Sequence, residues 1–319
     1  MSMLDMDKID RYIMKMKEER PGFSRLNAEQ MYEMLAITRD GVPTLAAVLN
    51  FGLYPQGYFQ QLAITAIVVA GTEIGDVNRN DVRFSDNKRI EGTLQNMLSD
   101  ALAFCKRNMK VETIIDPQTG ARKDKTEYPM EAIREAVLNA LIHRDYSHFT
   151  EGTPIQIDFF ADRLEIHSPG GLYGRMTVED LGKARPDLRN PALAVMSEFL
   201  LRTENRYSGI PTIRREMKEA GLPEPVFLNQ RNEFVVVLYN KQNEIVAEYE
   251  ADGANETDQL LAFCSEPRSR KEIADFLGFK TVFYVTQNYI QPLLNSGKLK
   301  MTIPDKPKSR NQQYVINKY

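Results

Sequence analysis

Four polar side chains stand at helical spacing in the middle of the chain. Glu131, Glu135, Asn139 and His143 are each four residues apart, so a helix would place them on one face. A carboxylate and an amide one turn apart can orient a water molecule and bind Mg²⁺ together with substrate phosphates. A solvated surface helix often has the same composition, so the spacing alone leaves both interpretations open.

The surrounding segment predicts the elements that position these side chains. Pro129 suits a first helical position, and an apolar stripe recurs at helical spacing after it. A polar turn at 145–152 follows, and apolar runs at 155–160 and 164–166 predict two strands. The sequence Ser-Pro-Gly-Gly at 168–171 comes next, and glycine turns let backbone N–H groups approach phosphates closely.

His143 and Asp145 could form a metal site or an acid–base pair. A metal site needs further ligands, and the chain has only 3 histidines. A structural role, in which the two residues close the helix and shape the loop after it, is favoured.

The composition describes a globular protein with more than one domain. At 319 residues, 42% hydrophobic and 27% charged, the chain is long enough for two or three domains. No run approaches the roughly 20 apolar residues of a membrane span, and no signal-peptide pattern stands at the start. The 2 cysteines have no partner spacing, so neither disulfides nor a zinc site is expected. These features predict a cytoplasmic protein without a membrane partner, and they leave homo-oligomerisation open.

Charge is distributed unevenly along the chain. Residues 265–319 contain ten Lys or Arg against four acidic residues, a balance of +6, whereas the whole chain carries −3. A basic end on an acidic body favours a polyanionic partner for that end. A solvated lysine-rich tail would have the same composition.

The basic end also predicts a winged helix-turn-helix. Three helices and a hairpin are expected at 257–264, 269–277, 281–295, 299–303 and 313–316. In such a domain the third helix enters the major groove and the wing contacts phosphates. The candidate DNA-binding residues are therefore Lys280, Thr281, Tyr284, Gln287, Asn288, Lys298, Lys300, Lys306, Lys308 and Arg310. A winged helix that binds protein is the alternative.

Two phrases and two short motifs in the central segment carry a family resemblance. They are AIREAVLNALIHRDYS at 132–147, DRLEIHSPGG at 162–171, RNP at 189–191 and GLPEP at 221–225. Together they resemble the RecG-related C-terminal domain of a family of transcriptional regulators. That resemblance implies an ATP-binding α/β sandwich of the GHKL type, with ATP and Mg²⁺ as cofactors.

The resemblance also implies site residues. Glu135 would activate water, and Asn139 would bind Mg²⁺. The other nucleotide-binding candidates are Asp145, Ser168, Gly170, Gly171, Ser208 and Gly209. Two departures weigh against turnover more than against binding: 168–171 replaces an Asp-x-Gly-x-Gly box, and Tyr207 stands where relatives have glycine. A weak ATPase is thus an alternative to a nucleotide sensor.

Both flanks resemble parts of the same family. GVPTLAAVLNFG at 41–52 is similar to the latter half of a Schlafen-type AlbA-like domain whose first half is absent, and MTIPDKPKSRNQ at 301–312 is similar to the family's wing. The predicted segments are a partial AlbA-like domain, a GHKL ATPase-like domain, a linker and a winged helix-turn-helix, at 1–115, 116–240, 241–256 and 257–319.

The sequence therefore predicts an α+β multidomain transcriptional regulator, with a GHKL-like sandwich in the centre and a winged helix-turn-helix at the C-terminus. Double-stranded DNA is the expected partner and a nucleotide is the expected ligand. A Mg²⁺-dependent ATPase and a nucleotide-independent interaction scaffold are the alternatives. A helicase is not expected, because the chain has no Gly-x-x-x-x-Gly-Lys-Ser/Thr loop.

Overall fold

The computed structural model describes residues 1–78, 80–115, 120, 122–185, 187–201, 208–230, 232–240, 260–277, 282–306, 309 and 312–317. They belong to two compact units, Met1–Lys241 and Gln242–Tyr319. The predicted linker at 241–256 lies outside the described residues. No helix in the described ranges is long and apolar enough to cross a membrane.

The first unit begins with helices that start at side-chain caps. Its first elements are α1 (Met6–Glu19), α2 (Ala28–Met34), β1 (Thr38–Arg39), β2 (Val42–Pro43) and α3 (Leu45–Phe51). Asp5, Asn27 and Thr44 each accept a hydrogen bond from the backbone N–H three residues ahead, which satisfies an otherwise unpaired donor. Asn27 therefore marks the start of α2, and Thr44 marks the start of α3.

A six-stranded mixed sheet forms the centre of the first unit. The elements that build it are β3 (Ile64–Val69), β4 (Phe84–Ile90), α4 (Leu94–Asn108), β5 (Val111–Ile115), β6 (Arg122–Thr126), α5 (Met130–His143), β7 (Ile155–Phe159), β8 (Arg163–Pro169), α6 (Pro191–Leu200), α7 (Gly209–Glu219), β9 (Val226–Asn229) and β10 (Glu233–Tyr239). The strand order is β4-β3-β7-β8-β10-β9, and β3 with β7 is its parallel pair. β5 and β6 form a separate hairpin.

The sheet joins segments on both sides of residue 115. Ile64 pairs with Ile155 and Ala66 with Ile157, and all four side chains are buried in one core. The boundary predicted between residues 115 and 116 therefore lies inside one compact unit. The physical reason is that β3 buries its alternate apolar residues against the same helices as β7.

Helix α5 runs through the largest core of the unit. Its apolar residues, among them Ile133, Val137 and Leu141, are fully buried. The helix packs against α4, α7 and β8, so its position is fixed from several sides. The helix predicted after Pro129 is confirmed.

Two segments of this unit have ends that local signals set. Helix α4 begins at Leu94, because Thr93 is its N-cap, and β4 ends before it at Ile90. Residues 178–181 form turns. Gly174 and Gly182 flank this segment with positive φ angles of 68° and 78°, which favour turns over a continuous helix.

The second unit is small and mixed. Residues 260–263 are helical. The named elements after them are β11 (Arg268–Ser269), α8 (Arg270–Phe276), α9 (Val282–Val285), a π-helical segment (Thr286–Ile290), α10 (Gln291–Asn295), β12 (Leu299–Met301) and β13 (Gln313–Ile316). The predicted hairpin is confirmed as β12 and β13, and β11 adds a third strand in the order β11-β13-β12. Buried Ile273, Val285, Ile290 and Tyr314 belong to its core.

Candidate nucleotide-binding site

A cavity of about 220 Å³ lies in the first unit, lined by residues of α5, the end of β8 and the start of α7. Seven of the predicted site residues line it: Glu135, Asn139, Ser168, Gly170, Gly171, Ser208 and Gly209. Apolar walls are contributed by Leu138, Ile142, Leu172, Met176, Leu181, Leu188, Ile210 and Phe234. The fold thus brings together residues that are more than 70 positions apart in the sequence.

The polar face of α5 forms one side of this cavity. Glu135, Asn139 and His143 line it, whereas Glu131 is exposed and lies outside. At 1.5 Å of rise per residue, Glu135 and His143 are about 12 Å apart along the helix axis. The cavity therefore has a carboxylate–amide end and an imidazole end.

Gly209 lies directly against the carboxylate–amide end. A Cβ added to Gly209 would stand 3.0 Å from Asn139 Nδ2 and 3.2 Å from Glu135 Oε2. The Glu135 Oε1 atom accepts a hydrogen bond from Arg134 Nη1 at 2.9 Å, and Arg134 Nη2 donates to the Leu201 carbonyl. The carboxylate is thus oriented by Arg134, and the missing side chain at Gly209 leaves room beside it.

The turn after β8 closes the other end. Gly170 has a φ of 91°, and a Cβ there would overlap Asp145 and stand 2.6 Å from Arg189 Nη1. Its N–H donates to the Asn232 carbonyl, and the Leu172 N–H donates to Asn229 Oδ1. These two N–H groups are therefore satisfied within the protein.

Asp145 does not line the cavity. Its Oδ1 atom accepts a hydrogen bond from the Ser147 N–H at 2.8 Å, and its backbone N–H donates to the Pro169 carbonyl. Asp145 therefore shapes the loop beneath Gly170, which is the structural role favoured over an acid–base role.

The Arg-Asn-Pro motif holds the end of α5 in place. Asn190 Nδ2 donates to the carbonyls of Ile142 at 2.9 Å and Arg144 at 2.7 Å, which caps the helix. Arg189 Nη2 donates to the Gly171 carbonyl at 3.0 Å. The motif links the helix to the glycine turn, so both sides of the cavity keep a fixed separation.

Arg144 is the most completely buried charged side chain near the site, with 1% exposure. It donates to the carbonyls of Thr150 and Thr153 at 3.1 and 2.6 Å, so it fixes the loop after α5. Burial lowers the pKa of this guanidinium from its usual value.

His143 is held neutral by its surroundings. Burial, followed by the nearby Arg189 charge, lowers the pKa of the imidazole below its usual 6.5. Within the described part of the chain, no group of three or more His, Cys, Asp or Glu side chains could hold a metal ion. A metal site centred on His143 and Asp145 is therefore not formed by the described residues.

The face of β8 that points away from Ile166 carries a charged ladder, formed by Arg163, Glu165 and His167 with Glu233 of β10. Arg163 Nε and Glu165 Oε1 are 2.5 Å apart, His167 Nε2 and Glu165 Oε2 are 3.0 Å apart, and His167 Nδ1 lies 3.1 Å from Glu233 Oε2. This ladder is separate from the cavity, because alternate residues of a strand point to opposite faces.

The DNA-binding candidates are only partly described. Lys298, Lys300 and Lys306 are exposed at or beside the β12 hairpin. Tyr284, Gln287 and Asn288 lie on the helical backbone of 282–290. Lys280, Thr281, Lys308 and Arg310 lie outside the described residues, as does Tyr207 of the first unit.

Two family models match parts of the chain. Residues 152–238 match the family described as "Putative ATP-dependent DNA helicase recG C-terminal". Residues 255–317 match the family described as "Filamentation induced by cAMP protein Fic-like, C-terminal domain". An ATPase-like, RecG-related domain is therefore present. Its match includes the glycine turn and Gly209 but begins after α5.

A solved structure shares the fold. The crystal structure of the DIP2311 protein from Corynebacterium diphtheriae is similar with a TM-score of 0.54 and 18% sequence identity, over 96% of this chain. This chain spans 60% of that protein's chain. Among the curated proteins, none matches this chain.

The sequence missed most of the segment that covers the cavity. Tyr173, Gly182, Ala184 and Asp187 all line it, and none was a candidate. Their segment has turns rather than a periodic pattern, so it carries no helical or strand signal. Its repeated glycines were the available signal for a loop that approaches a ligand.

Proposed function

We propose that this protein is a nucleotide-binding regulator, whose central domain binds ATP with Mg²⁺ and whose C-terminal unit binds double-stranded DNA. The observation that carries the proposal is the cavity itself. It unites Glu135 and Asn139 with the glycine turn and with Gly209, in a chain that contains an ATPase-like domain. The GHKL-type sandwich and the winged helix predicted from the sequence are part of this proposal.

The residues present fit a nucleotide with a divalent cation. The Asn139 amide and the Glu135 carboxylate supply the oxygen ligands that Mg²⁺ prefers. Gly209 is the first residue of the 11-residue helix α7 and lies against Asn139 and Glu135, and the N-terminal end of a helix favours a phosphate. Bound Mg²⁺ would neutralise phosphate charge at this end.

The opposite end of the cavity suits a base. Ile142 and Phe234 offer apolar contact, and His143, whose pKa burial lowers, can exchange a hydrogen bond with a heterocycle. The predicted orientation places the phosphates beside Gly209 and the base beside the glycine turn.

Slow ATP hydrolysis is the second candidate function. Arg134 donates to one oxygen of Glu135, and the other oxygen would stand 3.2 Å from a Cβ at Gly209. A carboxylate in this position can orient an attacking water. Steady-state phosphate release separates the two candidates: turnover that Glu135→Gln abolishes supports the ATPase, whereas binding without turnover supports the sensor.

Calorimetric titration with ATP, with and without Mg²⁺, tests nucleotide binding. We expect binding that Mg²⁺ strengthens, and we expect Asn139→Ala to remove most of the Mg²⁺ effect. Glu151→Gln is the matched control for Glu135→Gln, because it removes the same charge at an exposed position outside the cavity. Absence of ATP binding by the parent protein would refute both the nucleotide sensor and the ATPase, and it would favour the nucleotide-independent interaction scaffold.

Support for DNA binding comes from the charge of the second unit. Lys298, Lys300 and Lys306 are exposed, and residues 265–319 have a balance of +6. Each phosphate that the protein no longer neutralises lowers the salt slope of duplex binding by about 0.9. We expect the change of these three lysines to Gln to weaken duplex binding and lower the slope by up to about 3.

A control variant that loses the same three positive charges elsewhere distinguishes a DNA-binding surface from an effect of the protein's net charge. It changes three exposed lysines of the first unit to Gln: Lys106, Lys110 and Lys218. Equal loss of affinity in both triple variants would refute a DNA-binding surface at the hairpin.

A further inference from the structure

A second cavity, of about 240 Å³, lies in the first unit away from the nucleotide site. It is lined by Lys8, Arg11, Tyr12, Lys15, Asn50, Phe51, Gln95, Phe199 and Leu200. None of these residues lines the first cavity.

Three cations of α1 converge on this second cavity. Lys8, Arg11 and Lys15 are separated by three and four residues, so they share one face of the helix. Lys8 lies 3.8 Å from Asp5, whereas Arg11 has no ion pair with any residue that the structure describes. Lys15 lies over the Phe199 ring, 5.5 Å from its centroid. The cavity wall therefore carries an excess of positive charge.

Tyr12 adds an unpartnered polar group to the same wall. Its side chain is buried, with 3% exposure, and its hydroxyl has no hydrogen-bond partner in the described structure. A buried hydroxyl without a partner is costly, so native proteins usually satisfy it. Burial raises the pKa of Tyr12 to about 12, so the group is a neutral donor. A ligand oxygen that reached the hydroxyl from the cavity, which Tyr12 lines, would satisfy it.

The remaining wall is aromatic and apolar. The Tyr12 ring lies 5.5 Å from the Phe51 ring and 6.2 Å from the Phe199 ring, centroid to centroid. Phe199 is half-buried, so one part of it is accessible from the cavity. An anionic group at one end and a planar or apolar group at the other would match the two walls.

We propose that this cavity is a second ligand site, which binds a small phosphate monoester through Lys8, Arg11, Lys15 and the Tyr12 hydroxyl. A phosphate monoester carries a charge near −2 at neutral pH and has several acceptor oxygens. It therefore neutralises Arg11 and Lys15, which Asp5 does not balance, and accepts a hydrogen bond from the Tyr12 hydroxyl. Its ester group lies against Phe199. The site is independent of the nucleotide proposal, because it shares no residue with the first cavity.

Calorimetric titration with phenyl phosphate tests this site, with Mg·ATP saturating the first cavity. We expect one binding event, stronger than that of inorganic phosphate because only phenyl phosphate contacts Phe199. The double change Arg11→Gln and Lys15→Gln is expected to weaken it at least tenfold. The control, Lys106→Gln with Lys218→Gln, removes the same charge elsewhere and is expected to change the affinity by less than twofold.

Tyr12→Phe provides a test that a folding defect cannot imitate. It removes an unpartnered hydroxyl and keeps the ring, so the melting temperature without ligand should stay level or rise. The rise in melting temperature that phenyl phosphate causes should shrink, with a 3- to 10-fold weaker affinity.

Two results would overturn the second site. One is phenyl phosphate binding that the Arg11 and Lys15 changes leave unaltered. The other is no binding of phenyl phosphate by the parent protein. If that protein instead bound duplex DNA with an affinity that the same changes reduce, the face would be a nucleic-acid contact.

Discussion

We expect His167 to make the stability of the first unit depend on pH. Burial lowers the pKa of the imidazole, but the Glu165 and Glu233 carboxylates outweigh it and raise the pKa to about 9. Asp158 lies 3.8 Å away as a third carboxyl group, and burial raises its pKa to about 6. The Glu165 carboxylate has a second cationic partner, Arg163, besides His167.

The size and sign of the effect follow from linkage. Raising a histidine pKa from 6.5 to about 9 corresponds to about 3 kcal/mol of stability, since each pKa unit is worth about 1.4 kcal/mol. Because the folded pKa is raised, this stability is fully present below pH 6.5. It is lost as pH rises toward 9, since the unfolded state releases its proton first.

The perturbation is His167→Gln, and the assay is urea denaturation at intervals from pH 6.5 to 8.5. We expect the parent protein to lose most of this stability across the range. The variant should be less stable at pH 6.5, and its stability should fall less steeply with pH than that of the parent protein. The range ends at pH 8.5 because burial raises the pKa of the Cys105 and Cys264 thiols. The unfolded protein would release these protons first, so near pH 9 a further loss of stability would begin.

His148→Gln is the matched control, because His148 is exposed. We expect it to keep the pH dependence of the parent protein. A parent protein whose free energy of unfolding stays level between pH 6.5 and 8.5, or a His167→Gln variant with the parent's slope, would refute the reasoning.

Three further outcomes follow from the site geometry. Gly209→Ala should crowd Asn139 and weaken ATP binding by about 5- to 100-fold, which corresponds to about 1–3 kcal/mol. The free energy of unfolding should not change, since Ala suits a helix. An unchanged affinity in calorimetric titration would contradict this prediction, and the control is Gly152→Ala, because Gly152 has open space around it. Asn190→Ala should cost about 1–3 kcal/mol in urea denaturation, because two carbonyls lose their donor; a cost below about 0.5 kcal/mol would mean that water replaces the cap. Gly170→Ala should lower the melting temperature more than Gly209→Ala or Asn190→Ala does, because the backbone has a positive φ there and the added Cβ would overlap Asp145. An unchanged melting temperature would count against the tight turn.

The polar face of α5 and the glycine turn could be predicted, because each depends on residues that are close together in the sequence. The four-residue spacing from Glu131 to His143 fixes a helix face wherever the helix packs, and Pro129 marks its start. Gly170 could be predicted for the same reason, because a glycine turn after a strand is a local signal.

Contacts between segments that are distant in the sequence could not be predicted in the same way. The parallel pairing of β3 with β7 joins segments about 90 residues apart, and no local pattern specifies such a pair. The close approach of Gly209 to Asn139 likewise depends on how α7 packs on α5. The second cavity arises where α1, α3, α4 and α6 meet, so its three cations look like a solvated helix face until the fold is known.

Hydrogen exchange of the protein with and without saturating Mg·ATP tests the central claim most directly, because it reports where the nucleotide binds. We expect slower exchange concentrated in α5 after Glu135, in 170–173 and at the start of α7, with little change in β1 and β2. Asn139→Ala should reduce that protection at the same nucleotide concentration. Protection elsewhere in the chain, or none at all, would contradict the assignment of this cavity as the nucleotide site.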